Sequence, residues 1–162
     1  MIRNVLFVCI GNICRSPMAE GLFAQAMPGR MVCSAGLHAL VGEAADPVAV
    51  ELMRERGIDI SQHRAQQLAS WMVREADLII TMDHQQRRYI EQSWAAAGGK
   101  VRSLSSAGIP DPYRQGRRAV RHALSLIEEG VDDLLAHIAE REAQVLAPIA
   151  LAHLQPSMPL PP

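Results

Sequence analysis

Val5-Leu6-Phe7-Val8 and Leu78-Ile79-Ile80-Thr81 lack the alternation of apolar and polar residues that marks a strand with one wet face. Short runs of this kind belong to strands buried on both sides, and such strands occur in parallel sheets covered by helices above and below. Met31-Val32-Cys33-Ser34 reads as another strand, and residues 100–104 as one more. The segments between them carry helix signals. Ser16-Pro17 suits an N-cap and first helical residue for a helix over about 17–27, with Met18, Leu22 and Ala26 on one face. Asp46-Pro47 repeats that start, and Gly57 supplies a left-handed C-cap. A further helix covers about 65–75, and Asp83 caps the next. From Arg118, a stripe of Ala123, Leu124, Ile127, Val131, Leu134, Leu135 and Ile138 reaches about Glu142. Strands alternating with helices at this spacing predict an α/β fold with a parallel sheet covered on both faces. Ligands of such folds sit beyond the carboxyl ends of the strands, where a turn enters a helix.

The remaining composition narrows what the fold could serve. A chain of 162 residues has room for one domain, assigned to 1–145, followed by a proline-rich, flexible tail over 146–162 that holds five prolines. The formal net charge of −1 gives no field that would draw the protein to nucleic acid or to an anionic membrane, and six aromatic residues are too few for a base-stacking surface. Nothing approaches ~18 consecutive apolar residues, so no stable membrane insertion is expected, and no targeting segment is read. Three cysteines are too few for a disulfide scaffold, which points to a reducing cytoplasm. No Cys-x2-Cys or His-x3-His pairing appears, so zinc is not expected. Trp71 and Trp94 read as packing residues.

Chemistry is expected in the turn after the first strand, Cys9-Ile10-Gly11-Asn12-Ile13-Cys14-Arg15-Ser16. A loop that wraps from a strand end to a helix N-terminus points successive N–H groups inward, and the helix dipole behind them makes a nest for an oxyanion such as phosphate. Gly11 offers a position of close backbone approach. Arg15 can add a bidentate grip. The same field stabilises a negative sulfur at Cys9, placing a nucleophile beneath a bound phosphate. Ser16 can donate a hydroxyl hydrogen bond to that sulfur. Expelling a phenolate or alkoxide also needs a proton donor, and Asp111 in Ile109-Pro110-Asp111-Pro112-Tyr113 supplies a carboxyl group on a loop fixed by two prolines. By themselves these pieces have plain alternatives: a core thiol at a strand end, a surface arginine and an ordinary turn.

Together they do not stay independent. Val8 to Pro17, the Ser34-Ala35-Gly36 that follows the second strand, and Asp111-Pro112-Tyr113 occur in the order and spacing of the low-molecular-weight protein-tyrosine-phosphatases, which the chain resembles over about residues 2–138. The resemblance implies a single-domain, three-layer fold with a four-stranded parallel sheet and a metal-free hydrolysis of phosphotyrosine through a phosphocysteine. It makes Cys9 the nucleophile, Arg15 the phosphate clamp and Asp111 the general acid and then base. Ile10, Gly11, Asn12, Ile13, Cys14 and Ser16 complete the phosphate-binding loop. Asn12 holds its strained backbone with Ser34 and His63 as partners, and Ile10 and Tyr113 wall the phenyl ring. Leu40 stands where eukaryotic members often carry a large aromatic and Arg114 where they carry a second tyrosine, which implies a more open and more basic pocket. The stretch 34–40 with Asp46-Pro47 is closest to the bacterial branch, whose members act with tyrosine autokinases in capsule or exopolysaccharide export. The expected partner is therefore a phosphotyrosine protein, such as a bacterial tyrosine kinase, met by a monomer or weak homodimer. The resemblance also implies a protective Cys9–Cys14 disulfide, with Cys14 as a mere space-filler the other reading.

Two other readings use the same loop. A thiol-dependent arsenate reductase needs downstream cysteines to relay a disulfide, and none follows Cys33. A silent phosphoprotein-binding module would be expected to lack Cys9 or Asp111. Arg114, Arg117, Arg118 and Arg121 read either as a solvated helix start or as a docking patch for an acidic or phosphorylated tail.

Overall fold

The computed structural model describes residues 1–152. Four strands, β1 (Asn4–Cys9), β2 (Met31–Gly36), β3 (Leu78–Thr81) and β4 (Val101–Ser103), form one parallel sheet in the order β2-β1-β3-β4. The side chains of β1 explain why its sequence never alternates. Val5, Phe7 and Cys9 point into one core, where they meet Met18, Phe23, Leu124 and Ile127, while Leu6 and Val8 point into a second with Met72, Val73, Ile79 and Ile90. Helices α1 (Arg15–Ala26), α2 (Pro47–Glu55) and α5 (Arg117–Ala152) contribute to the first core. Helices α3 (Ser70–Glu75) and α4 (His84–Ser93) contribute to the second. The chain leaves β1 toward β2 on one side and returns to β3 on the other, so the strand order reverses beside the carboxyl end of β1, where α/β folds place their ligands.

Several predicted boundaries hold and others move for identifiable reasons. Asp46 caps α2, its carboxylate accepting from Val48 N and Ala49 N, and Gly57 just past the helix has φ +75°. Asp83 caps α4 by accepting from Gln86 N. By contrast α1 starts at Arg15, one residue before the expected cap, and its side chains provide no cap hydrogen bond. Ser16 lies inside the helix because its hydroxyl is engaged elsewhere. Of the expected face, Met18 is buried and Leu22 packs partly buried against the first core, but Ala26 is exposed, and Ala19 and Phe23 complete the buried side. The helix expected over 65–75 is confined to Ser70–Glu75. Residues 66–68 are extended instead, bonded to Gly36 through Gly36 N to Gln66 O and Leu68 N to Gly36 O, both at 2.9 Å. α5 runs ten residues past the expected end at Glu142, with Pro148 inside it. Proline removes its own N–H from the ladder, but good helix formers on its N-terminal side carry the helix through. The expected tail therefore begins as helix, and residues 153–162 lie outside the described ones. Trp94 packs on the second core, whereas Trp71 is 50% exposed and does not serve as a core residue.

Candidate active site

β1 ends at Cys9, opposite Gly36 of β2, and α1 begins at Arg15, so the residues between them must turn the chain from strand to helix. The carbonyl groups of that turn all face outward. Leu37 N donates to Cys9 O (2.9 Å), His38 N to Ile10 O (3.0 Å), Leu40 N to Gly11 O (3.1 Å), Asp46 N to Ile13 O (2.7 Å) and Met18 N to Cys14 O (3.2 Å). Asn12 O accepts from His63 Nε2 at 2.6 Å, which fixes the proton on that ring nitrogen. With every carbonyl held from outside, the amides turn inward. Among the described residues none of the amides of Ile10, Gly11, Ile13 and Cys14 donates to another protein group, and that of Asn12 points at Cys9 Sγ, 3.3 Å away. They form a ring of N–H donors at the positive end of a twelve-residue helix.

Asn12 makes the tight turn possible. Its φ of +57° is the one left-handed residue of the loop, and its buried side chain offsets the strain with three bonds. Gln66 N donates to Asn12 Oδ1 (2.9 Å), while Asn12 Nδ2 donates to Ser16 Oγ (2.8 Å) and Ser34 Oγ (2.9 Å). Each hydroxyl oxygen that accepts from Asn12 has its own proton left to give. Ser34 Oγ donates to Glu20 Oε2 at 2.6 Å, and Ser16 Oγ lies 2.9 Å from Cys9 Sγ, where its hydroxyl can donate to a thiolate. One amide thus orients two hydroxyls, and one of them solvates the sulfur. Glu20 is held above the ordinary carboxylate range by burial, which its bond from Ser34 and the nearby His63 oppose. Burial, followed by the charge of Asp46, pushes the Cys14 thiol up as well, so Cys14 rests as a neutral thiol.

Within the protein, a methyl group on Gly11 would meet nothing nearer than Ile13 Cγ1 at 3.8 Å. Gly36 is the glycine the loop depends on, since a Cβ there would lie 2.5 Å from Ile10 O.

Arg15 is buried to 3% exposure, with Nη1 donating to Ile109 O at 2.8 Å and Nη2 lying 3.5 Å from Asp111 Oδ2. Asp111 itself is half-exposed, and its Oδ1 accepts from Tyr113 N at 3.1 Å. The loop, Arg15, Asp111, Tyr113, Leu40 and His38 enclose a pocket of about 120 Å³. Arg114 is not among its walls. It adopts φ +56° and lays its guanidinium over the outer face of Tyr113, 5.1 Å from the ring centroid. Arg117 is likewise engaged, pairing with Glu51 at 2.8 Å and Glu55 at 3.7 Å, which takes it out of the suggested docking patch. Sequence reasoning missed Gln66, Glu20 and His38. The first two act through backbone and hydroxyl bonds that no motif spacing announces, and His38 stands in a loop whose path depends on the fold. Among the described residues no group of three or more His, Cys, Asp or Glu could hold a metal ion, and no helix is long and apolar enough to cross a membrane.

Comparisons with known proteins place the chain in a family. The family model of low molecular weight phosphotyrosine protein phosphatases matches residues 4–144. The chain is 51% identical over 135 residues to the probable low molecular weight protein-tyrosine-phosphatase EpsP of Ralstonia nicotianae, a match covering 82% of this chain and 93% of that protein. It is 41% identical over 135 residues to the low molecular weight protein-tyrosine-phosphatase Wzb of Escherichia coli K12, covering 79% of this chain and 90% of Wzb. The crystal structure of the tyrosine phosphatase AmsI of Erwinia amylovora superposes with a TM-score of 0.80 at 35% identity, over 85% of this chain and 93% of AmsI.

Proposed function

The chain belongs to the low molecular weight phosphotyrosine protein phosphatase family, and from that premise we propose a two-step hydrolysis carried by Cys9, Arg15 and Asp111. The phosphoryl group of phosphotyrosine enters the ring of amides with Arg15 against its oxygens. The Cys9 thiolate attacks phosphorus from below, a sulfur–phosphorus bond forms, and the bond from phosphorus to the phenolic oxygen breaks. Asp111, protonated at this stage, gives its proton to the departing phenolate. A water molecule then attacks the phosphocysteine, Asp111 takes its proton, and inorganic phosphate leaves with the thiolate restored. Ser16 stabilises that thiolate as it forms, and Asn12 keeps Ser16 in position. Leu40 and Tyr113 line the path of the phenyl ring. The observation that carries this reading is the outward bonding of every loop carbonyl, which leaves the amides to converge over one sulfur.

The substrate we propose is a tyrosine-phosphorylated protein, specifically the phosphorylated tail of a bacterial tyrosine autokinase in exopolysaccharide export, met in the cytoplasm. Support comes from the resemblance of residues 34–40 to the bacterial branch and from the relatives' common activity. Three free cysteines, one of them the nucleophile, suit a reducing compartment. The test is the pH dependence of phenyl phosphate hydrolysis without added thiol or metal. Wild type should give a bell, and Cys9→Ser should be inactive. Asp111→Asn should lose the basic limb with a ~10²–10⁴-fold lower kcat. Near-normal turnover by Cys9→Ser would remove the mechanism.

A further inference from the structure

A second cavity, of about 380 Å³, adjoins the catalytic pocket and shares Ile10, Arg15, His38 and Asp111 with it. Its further walls are new: Asp83 at the N-cap of α4, Gln85 and Tyr89 on that helix, and Pro110. Gln85 and Tyr89 stand four residues apart on one helix face. Tyr89 is 48% exposed, and its ring is braced edge-on against Trp94, with centroids 6.4 Å apart and planes at 78°. Asp83 is partly buried and uses Oδ1 to accept from Gln86 N at 2.7 Å. It enters none of the ion pairs among the described residues, whereas Arg87 on the same helix pairs with Glu91 and Arg15 on the shared wall faces Asp111. A carboxylate without a cation, beside a braced aromatic ring, complements a positive side chain: the charge answers Asp83 and the alkyl stem lies along Tyr89.

Building on the phosphatase reading, we infer that this cavity is a subsite for a lysine or arginine flanking the phosphotyrosine of the substrate. The phosphoryl group occupies the amide ring, and the neighbouring basic residue crosses the ridge of Ile10 and Asp111 into the second cavity. The subsite acts on binding and leaves the phosphoryl-transfer chemistry unchanged.

The experiment compares kcat/KM for phosphotyrosyl peptides that carry lysine, alanine or glutamate beside the phosphotyrosine, on either side in turn, with phenyl phosphate as the control. Wild type should prefer lysine to alanine by about 2- to 5-fold on one side, the worth of an exposed ion pair or a cation over an aromatic face, and should disfavour glutamate. Asp83→Asn keeps an oxygen for Gln86 N but removes the charge, and should erase the preference. Tyr89→Leu should weaken it. Both variants should hydrolyse phenyl phosphate as wild type does, which also reports that they fold. Equal rates for the three peptides in wild type, or an intact lysine preference in Asp83→Asn, would overturn the subsite alone. A wild type that leaves phenyl phosphate intact would overturn the phosphatase reading and the subsite with it.

Discussion

Asn12 concentrates more of the site in one side chain than Cys9 does. Its backbone turns the loop through φ +57°, its carbonyl accepts a hydrogen bond from His63, and its amide orients the hydroxyls of Ser16 and Ser34. Asn12→Ala would keep the strained backbone while stranding Gln66 N and freeing both hydroxyls to turn. We expect a loss of about 1–3 kcal/mol in stability from the unsatisfied buried groups and, separately, a fall in kcat for phenyl phosphate because Ser16 no longer points at the sulfur. Chemical denaturation and steady-state kinetics check the two effects. A variant as stable and as fast as wild type would show that the network is incidental. At this scale the sequence was informative about residue types and silent about directions. Cys9 and Arg15 could be singled out as candidates by a strand end and a helix start, and Asp111 by its proline-flanked loop, while Ser34 and His63 could be attached to Asn12 only through resemblance. Glu20 and Gln66 could not be found at all, because a hydrogen bond from a backbone N–H or a hydroxyl leaves no trace in residue spacing.

Elements were legible where burial repeats and where caps are chemical. The unbroken apolar runs of β1 and β3 located the two central strands, and Asp46-Pro47 and Asp83 located helix starts through their carboxylates. Failures came where tertiary bonding overrides local preference. Residues 66–68 give up a helix to pair with Gly36, and Ser16 gives up a capping role to reach Cys9. Gly130 in α5 is a further case. Glycine is a poor helix former, yet a Cβ there would stand 2.6 Å from Leu104 Cγ and 2.8 Å from Leu104 O, so its absence lets α5 close on the end of β4. Gly130→Ala should therefore destabilise despite alanine's advantage of ~1 kcal/mol in helix propensity. Overpacking costs of ~1–3 kcal/mol are typical, and the contact with backbone oxygen puts this site at the upper end. A denaturation midpoint at or above that of wild type would contradict the close approach.

On the scale of the whole molecule, one clasp ties the long helix to the amino end of the sheet. Glu142 takes both of its carboxylate oxygens to Arg30 at 2.9 Å and accepts from Ile2 N at 3.3 Å, while Arg30 also donates to Ile2 O. The bond from Arg30 is the first cause that holds Glu142 below the ordinary carboxylate range. A carboxylate with a depressed folded value contributes stability above its unfolded value, ~4.3, and loses that contribution as pH falls through the folded value. Wild type should accordingly melt above Glu142→Gln at neutral pH, and the gap should close in acid and narrow in high salt. A gap that is constant with pH would show that the clasp works through packing alone. The same helix continues to Ala152, past the end of the family match at residue 144, and leaves Val145, Leu146 and Ile149 exposed. The parallel α/β class followed from the sequence, since strand and helix signals alternate along the chain. The order β2-β1-β3-β4 did not, because sheet order depends on which side each crossover takes and no local residue records that choice.

In the proposed mechanism a single sulfur bonds to phosphorus during turnover, and the adduct can be seen directly. Asp111→Asn is mixed with excess phenyl phosphate, quenched in acid within the first turnover and digested for mass spectrometry. One added phosphoryl group is expected on the peptide that contains Cys9, absent when Cys9→Ser is combined with the same variant. A phosphoryl group found on another residue, or turnover in which the Cys9 peptide never gains one in wild type or variant, would contradict it.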